Sequence, residues 1–326
     1  MTSSARVLAL AAVLLTGCDR FWVCDLAEPE RVAELPSRLS ETGLYADIAS
    51  GELADGVLAY TPRFPLWSDG ADKQRWILLP DGAQIDTSSI DEWSFPDGTK
   101  VWKEFSVDGV RIETRLIEKR GPSDEDWVAL SYVWSADDRD AIAAPLGELD
   151  ARETEHDVPG AGECVACHGG RRSYVLGFSA IQLSSAAAPG DVDLSALAEE
   201  GRLTAPPAAV PVVPGTPVEV AALGYLHANC SHCHNPNRPA RDGPRCFDPQ
   251  TSYDFTLAIG DLASPANTAT YRTVVGSAVK PGEPGDSRVL SFMSRRGFGR
   301  QMPPLATNTV DSEAVANIRA WIEALR

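Results

Sequence analysis

The sequence predicts an α+β protein of several domains, in which an amino-terminal antiparallel β domain is followed by a mainly α region. Three observations support this prediction. The first half contains short β-branched and aromatic runs separated by Asp-Gly pairs, the second half contains helix-like segments, and the second half also repeats the pattern Cys-x-x-Cys-His. A chain of 326 residues is long enough for two or three hydrophobic cores.

The amino terminus resembles an export signal. Arg6 precedes the apolar run VLALAAVLL, which is too short to span a bilayer. The next letters, LLTGC, resemble the signal box of bacterial lipoproteins, which implies a signal peptide over 1–17 and lipidation of Cys18. An ordinary secretory signal is the alternative. Lipidation would anchor the exported chain to a bacterial membrane, facing the periplasm or the cell surface, and the charged, proline-containing residues 18–40 are typical of a tether.

Residues 41–150 have the pattern of an antiparallel β domain. The runs RWILLP, KVWKEFSV, RIETRLIE and WVALSYVW are rich in strand-forming residues, and several of them alternate in polarity. Asp-Gly pairs between them favour tight hairpin turns. We therefore expect consecutive strands to pair with one another.

The remainder divides into two segments, each with one copy of the repeated motif. Residues 151–215 contain ECVACH and a proline-rich connector, TAPPAAVPVVPGTP. Residues 216–326 begin with VEVAALGYLHANCSHCH, which predicts a helix leading into the second motif. They end with DSEAVANIRAWIEAL, whose apolar residues recur at helical spacing behind Asp311 as the N-cap.

The repeated motif is the strongest chemical signal. With 7 Cys and 5 His in the chain, chance placement would give roughly 0.002 copies. Two thiols at this spacing attach haem covalently, and the following histidine binds its iron. A four-cysteine zinc site would leave both histidines unexplained, and a thioredoxin-like dithiol is a further alternative. The sequence therefore predicts two covalently bound haem c groups, attached at Cys164, Cys167, Cys230 and Cys233.

The predicted iron ligands follow from the motifs. His168 and His234 are the proximal ligands of the first and second haem. Met302, in QMPPL, lies between the second motif and a closing helix. That order resembles a class I cytochrome c domain, in which the methionine is the distal ligand, and His/Met ligation raises the reduction potential.

The sixth ligand of the first haem stays open at the sequence level. His227 is the preferred candidate, because it lies two turns before His234 on one predicted helix and both imidazoles would share a face. His156, His232 and Met293 are the other candidates, and an open coordination position is a further alternative.

Charge and the remaining cysteines limit the partners and the compartment. A net charge of −17 argues against binding to nucleic acid. It suits a redox partner with a basic face, although solubility alone explains it equally well. Cys24 and Cys246 remain as one pair in an exported chain, and the sequence leaves open whether they form a disulfide.

Several stretches together resemble an uncharacterised family of bacterial dihaem c-type cytochrome lipoproteins. The resemblance covers nearly the whole mature chain, in LPSRLSETGLYAD, FPLWSDGADKQRWILLPDG, FPDGTKVWKEF, RIETRLIE, ECVACHGG and YLHANCSHCHNP. Related carboxy-terminal modules fused to sugar-dehydrogenase-like propellers imply a periplasmic dehydrogenase as electron donor. FPDGTKVWKEF is also faintly similar to the β-rich cytochrome P460 fold, but the β region has no haem motif, so that chemistry does not transfer.

These observations predict a membrane-tethered carrier that moves electrons between an extracytoplasmic donor and an acceptor, rather than a catalyst. The protein would hold two irons close together and set their potentials. One alternative is a dihaem peroxidase-like enzyme with a five-coordinate first haem. Another is a β domain that binds a ligand and uses the haems as an electron outlet. The carrier is favoured because no acid or base is evident beside ECVACHGG.

Overall fold

A meander of antiparallel strands is the largest regular element of the structure, a computed structural model in which residues 29–185, 188–238, 252–297, 301–304 and 307–326 are described. The strands are β1 Tyr45–Asp47, β2 Glu52–Leu53, β3 Val57–Ala59, β4 Asp72–Leu78, β5 Lys100–Val107, β6 Val110–Lys119, β7 Trp127–Trp134 and β8 Ala141–Ala143. Strands β3 to β8 pair in chain order to form one six-stranded sheet, and β1 and β2 form a separate pair.

Local chemistry explains the central hairpin. Asp108 and Gly109 join β5 to β6 with φ values of 49° and 80°. Two consecutive positive φ values suit the mirror-image turns whose twist matches that of paired strands. The turn thereby fixes which residues of β5 and β6 lie opposite each other.

Both faces of the sheet are buried. Alternation places one apolar row on each face: Trp76, Trp102, Leu116 and Leu130 on the first, and Ile77, Val101, Ile117 and Ala129 on the second. The chain before β4 covers the first face with Leu39 and Leu44. The chain after the first motif covers the second face with Phe178 and Leu197. The segment containing the first motif therefore shares a core with the sheet.

The predicted fold class is wrong in its mainly α second half. Helices account for only 26% of the structure, and the six-stranded sheet dominates it. The described helices are α1 Pro29–Ala33, α2 Ala161–His168, α3 Leu194–Glu199, α4 Pro217–Cys230, α5 Ala269–Thr273, α6 Arg288–Met293 and α7 Ser312–Ala324. Most of them are short because proline and glycine recur between them and keep the connecting chain irregular.

The two longest helices pack against each other. Leu226 of α4 and Ile318 and Trp321 of α7 lie in one core. The Asp311 carboxylate caps α7 by accepting a hydrogen bond from the Ala314 N–H at 2.9 Å. A side chain at Gly224 would overlap the ring of Phe64, so the glycine lets α4 lie directly against the loop before β4.

Candidate functional site

The two Cys-x-x-Cys-His segments meet in space. The Asn235 side-chain amide donates a hydrogen bond to the Gly170 carbonyl over 3.1 Å. A Cβ atom at Gly170 would overlap the carbonyl oxygen of His232, so the backbones of the two segments are in direct contact there. Residues separated by the whole proline-rich connector are thus brought to one place.

Each motif lies at the carboxyl-terminal end of a helix. Helix α2 ends at His168, and α4 ends at Cys230, one turn before His234. At the start of α4, the Thr216 hydroxyl accepts from the Glu219 N–H while the Glu219 carboxylate accepts from the Thr216 N–H. This capping box fixes where α4 begins and therefore where its motif end lies.

His168 is oriented as a metal-binding histidine should be. Its Nδ1 lies 2.7 Å from the Tyr174 carbonyl oxygen. A carbonyl can only accept, so Nδ1 has the proton and Nε2 keeps a free lone pair. Burial lowers the pKa of His168 well below its ordinary value, which keeps the ring neutral. The Tyr174 ring also packs against the imidazole at 5.4 Å between centroids.

Two of the four motif cysteines, Cys164 and Cys233, are buried, and Cys167 and Cys230 are partly buried. Burial raises the pKa of Cys164 to about 11 and that of Cys230 to about 12. Burial also raises the pKa of Cys167 to about 12, with a further contribution from nearby Cys233 of the other motif. These shifts are opposite to those of a dithiol redox catalyst, whose nucleophilic cysteine has a lowered pKa.

A cavity of about 260 Å³ opens beside the first motif. Cys164, Cys167 and His168 line one side of it, and the second face of the sheet lines another. His232, from the second motif, also lines it. The cavity wall combines apolar side chains, such as Val101 and Ile117 of β5 and β6, with charged ones.

Four basic side chains project from the sheet into this cavity: Lys73, Arg75, Lys103 and Arg115. Arg75 and Arg115 each lie opposite Lys103 on neighbouring strands. Burial, with repulsion among these cations, lowers the pKa of Lys73 to about 6 and that of Lys103 to about 7. Within the described chain, Arg115 alone among the four has an ion pair. The cavity therefore favours an anionic group.

The ion pair of Arg115 belongs to a buried triad. The Glu113 carboxylate accepts from Arg115 Nε at 2.8 Å and lies 2.7 Å from His156 Nε2. His156 and Arg115 both line the cavity. The sequence alone did not reveal this acid-base group or the four basic side chains, because the alternation of a strand does not show what covers each of its faces.

The second motif lies against the helical core. The imidazole of His234 meets the ring of Phe255 edge-on at 5.6 Å between centroids. Phe255 and the partly buried Cys230 belong to the core of α4 and α7. Met302 is half-buried, and its N–H donates to the Phe292 carbonyl at 3.2 Å. Its role as a distal ligand stays a prediction.

The other candidate ligands of the first site differ in availability. His227 Nδ1 accepts the Leu257 N–H at 3.1 Å, so in the neutral ring Nε2 has the proton. This arrangement disfavours His227. Met293 is buried in the core of α4 and α7. His156 is held by Glu113, whereas His232 Nδ1 is buried with no hydrogen-bond partner in the described chain.

Some predicted features lie outside the described residues: Cys18, Cys24, Cys246 and the signal peptide. Across the described ranges, no helix is long and apolar enough to cross a membrane. The same ranges contain no group of three or more His, Cys, Asp or Glu side chains placed to bind a bare metal ion. Comparison with known protein families, curated proteins and solved structures finds no match for this chain.

Proposed function

We propose that the chain is a dihaem c-type cytochrome, exported and tethered to a membrane through Cys18, that transfers electrons between an extracytoplasmic donor and an acceptor. The observation that carries the proposal is the direct contact between the two Cys-x-x-Cys-His segments at Gly170 and His232. Two attachment sites in contact would hold two irons close together, as electron transfer between them requires. Bound haem iron supplies a reversible one-electron couple.

The residues around the first motif fit a haem. Cys164 and Cys167 supply the two thiols, and His168 presents a free Nε2. Apolar side chains suit the ring, and basic side chains such as Arg75 and Lys103 suit the propionate carboxylates. The chain's part is to bind, to orient His168 through Tyr174 and to set the potential through charge and burial.

The second site is formed by Cys230, Cys233 and His234, with Met302 proposed as the distal ligand. No proton transfer by the protein is needed for a carrier. The donor proposed is a redox protein such as a periplasmic dehydrogenase, and the net charge of −17 suits a partner with a basic docking face.

Haem content tests the proposal directly. The purified protein should contain two haems per chain by the pyridine haemochrome assay, and the double substitution Cys230→Ala, Cys233→Ala should leave one. The matched control is Cys24→Ser with Cys246→Ser, which removes two cysteines outside the motifs and should leave two haems. A haem content unaffected by the motif substitution would contradict the assignment.

Ligation by Met302 predicts a spectroscopic change. Met302→Ala should remove the weak sulfur-to-iron absorption band of the oxidised protein and lower the potential of one haem, because thioether ligation favours the reduced iron. Redox titration followed by visible absorption measures both effects. Met293→Ala is the control, since Met293 lies in a hydrophobic core, and it should keep the band. A band retained in the Met302 variant would exclude this ligand.

The triad of Glu113, Arg115 and His156 favours a second candidate, a dihaem peroxidase-like enzyme. It places an acid-base pair at the cavity beside the first motif, where O–O bond cleavage would need one. An open coordination position at the first haem is required for that function. Steady hydrogen peroxide reduction by the wild-type protein, lost in His156→Ala, would favour the enzyme over the carrier.

A further inference from the structure

His232 lies between the two cysteines of the second motif but faces the cavity of the first. It is only 6% exposed and lines the cavity together with Cys167 and His168. A residue attached to one site is thus presented to the other.

The Nδ1 atom of His232 lacks a hydrogen bond, unlike one ring nitrogen of each of the other two candidate histidines. Its Nδ1 is buried with no partner in the described chain. By contrast, His227 is engaged through Nδ1 by a backbone N–H, and His156 is engaged through Nε2 by a carboxylate. A buried polar nitrogen left without a partner costs free energy, which coordination to a metal in the cavity would offset.

The backbone around His232 is fixed. The Ser231 hydroxyl donates to the His227 carbonyl at 2.6 Å, and the His234 N–H donates to the Cys230 carbonyl at 2.8 Å. The Asn235 amide binds the Ser231 carbonyl at 2.7 Å and also the Gly170 carbonyl. These bonds hold the loop against the first motif, so the backbone of His232 stays beside the first cavity.

We infer that His232 is the second axial ligand of the haem attached at Cys164 and Cys167, completing the coordination begun by His168. The inference rests on the proposed function. It implies that the segment from His232 to His234 supplies a ligand to each of the two irons, so that three consecutive residues connect the two haem sites. It also implies that the first iron has no open coordination position, which suits a carrier, whereas a peroxidase would need an open one.

Electron paramagnetic resonance of the oxidised protein tests this inference. The wild type should show two low-spin haems, and His232→Ala should convert one of them to high spin while both haems stay attached. Added imidazole should restore the low-spin signal. The matched control is His227→Ala, a partly buried histidine near the end of α4, which should leave both haems low-spin.

The outcomes separate this inference from the proposed function. A haem count below two in the wild type refutes the proposed function itself. Two attached haems that both stay low-spin in His232→Ala refute only the ligand assignment. If that variant does not mature, the wild type decides, because a high-spin haem or rapid carbon monoxide binding by the reduced protein overturns the inference. His232→Met gives a second check and should raise the potential of one haem.

Discussion

Gly170→Ala is expected to lower the free energy of unfolding by about 3 kcal/mol, the upper end of what overpacking costs. The added Cβ would meet the carbonyl oxygen of His232, a backbone atom that cannot rotate away. Relief requires the two motif segments to separate, which also breaks the hydrogen bond from Asn235 to the Gly170 carbonyl. Because Gly170 does not have a positive φ, the loss would come from this contact and not from backbone strain.

Urea denaturation followed by tryptophan fluorescence measures the effect. The control is Gly285→Ala, because no atom lies within 4 Å of a Cβ there and its φ is not positive; it should change the stability by less than about 0.5 kcal/mol. If the two variants are equally stable, the motifs are not in contact as described.

The strands could be located from sequence because their signals are local. The runs RWILLP, KVWKEFSV, RIETRLIE and WVALSYVW overlap β4, β5, β6 and β7, and the turn at Asp108 and Gly109 has the backbone that its residue types favour. The alternation of residues along the strands could not show which parts of the chain pack against each face of the sheet. Lys103 lies at a cavity because a segment far along the chain covers that face of the sheet.

In the second half of the chain, the sequence predicted two helices but not the structure of the chain between them. Asp311 caps α7 as its position before an apolar periodic run predicts, and α4 ends at the motif. The fold class was nevertheless wrong, because two well-patterned helices say little about the long irregular chain between them. That chain packs on the sheet and on the helices through tertiary contacts that leave no periodic signal in the sequence.

The candidate site was also predictable from the sequence only in part. Both motifs were evident from spacing alone, since covalent attachment requires residues close in sequence. Their mutual contact at Gly170 depends on tertiary structure and could not be deduced. Helical periodicity favoured His227, yet its Nδ1 is engaged by the Leu257 N–H. His232 had no periodic argument in its favour, and only the fold places it at the first cavity.

Glu113→Gln is expected to destabilise the protein by about 3–5 kcal/mol near neutral pH, the usual cost of breaking a buried ion pair by removing one partner. Glu113 is fully buried and holds Arg115 at 2.8 Å and His156 at 2.7 Å. Without its charge, the Arg115 guanidinium stays in the cavity beside Lys103 with no carboxylate to offset it.

The stability difference between the wild type and Glu113→Gln should also depend on pH in a defined direction. Burial alone would raise the pKa of Glu113, but Arg115 and His156 outweigh it and hold that pKa below its ordinary value. A carboxylate whose pKa is lowered by folding stabilises the protein above its unfolded-state pKa of about 4.3, and this contribution is lost as the pH falls through the folded-state value. The wild type and Glu113→Gln should therefore differ most near neutral pH and converge in acid. Urea denaturation at several pH values measures this. Asp137→Asn is the control, because Asp137 and its partner Arg139 are exposed at 59% and 84% of their side chains, and such a surface pair should contribute little to stability. A constant difference between wild type and Glu113→Gln across that pH range would show that the carboxylate charge does not stabilise the fold.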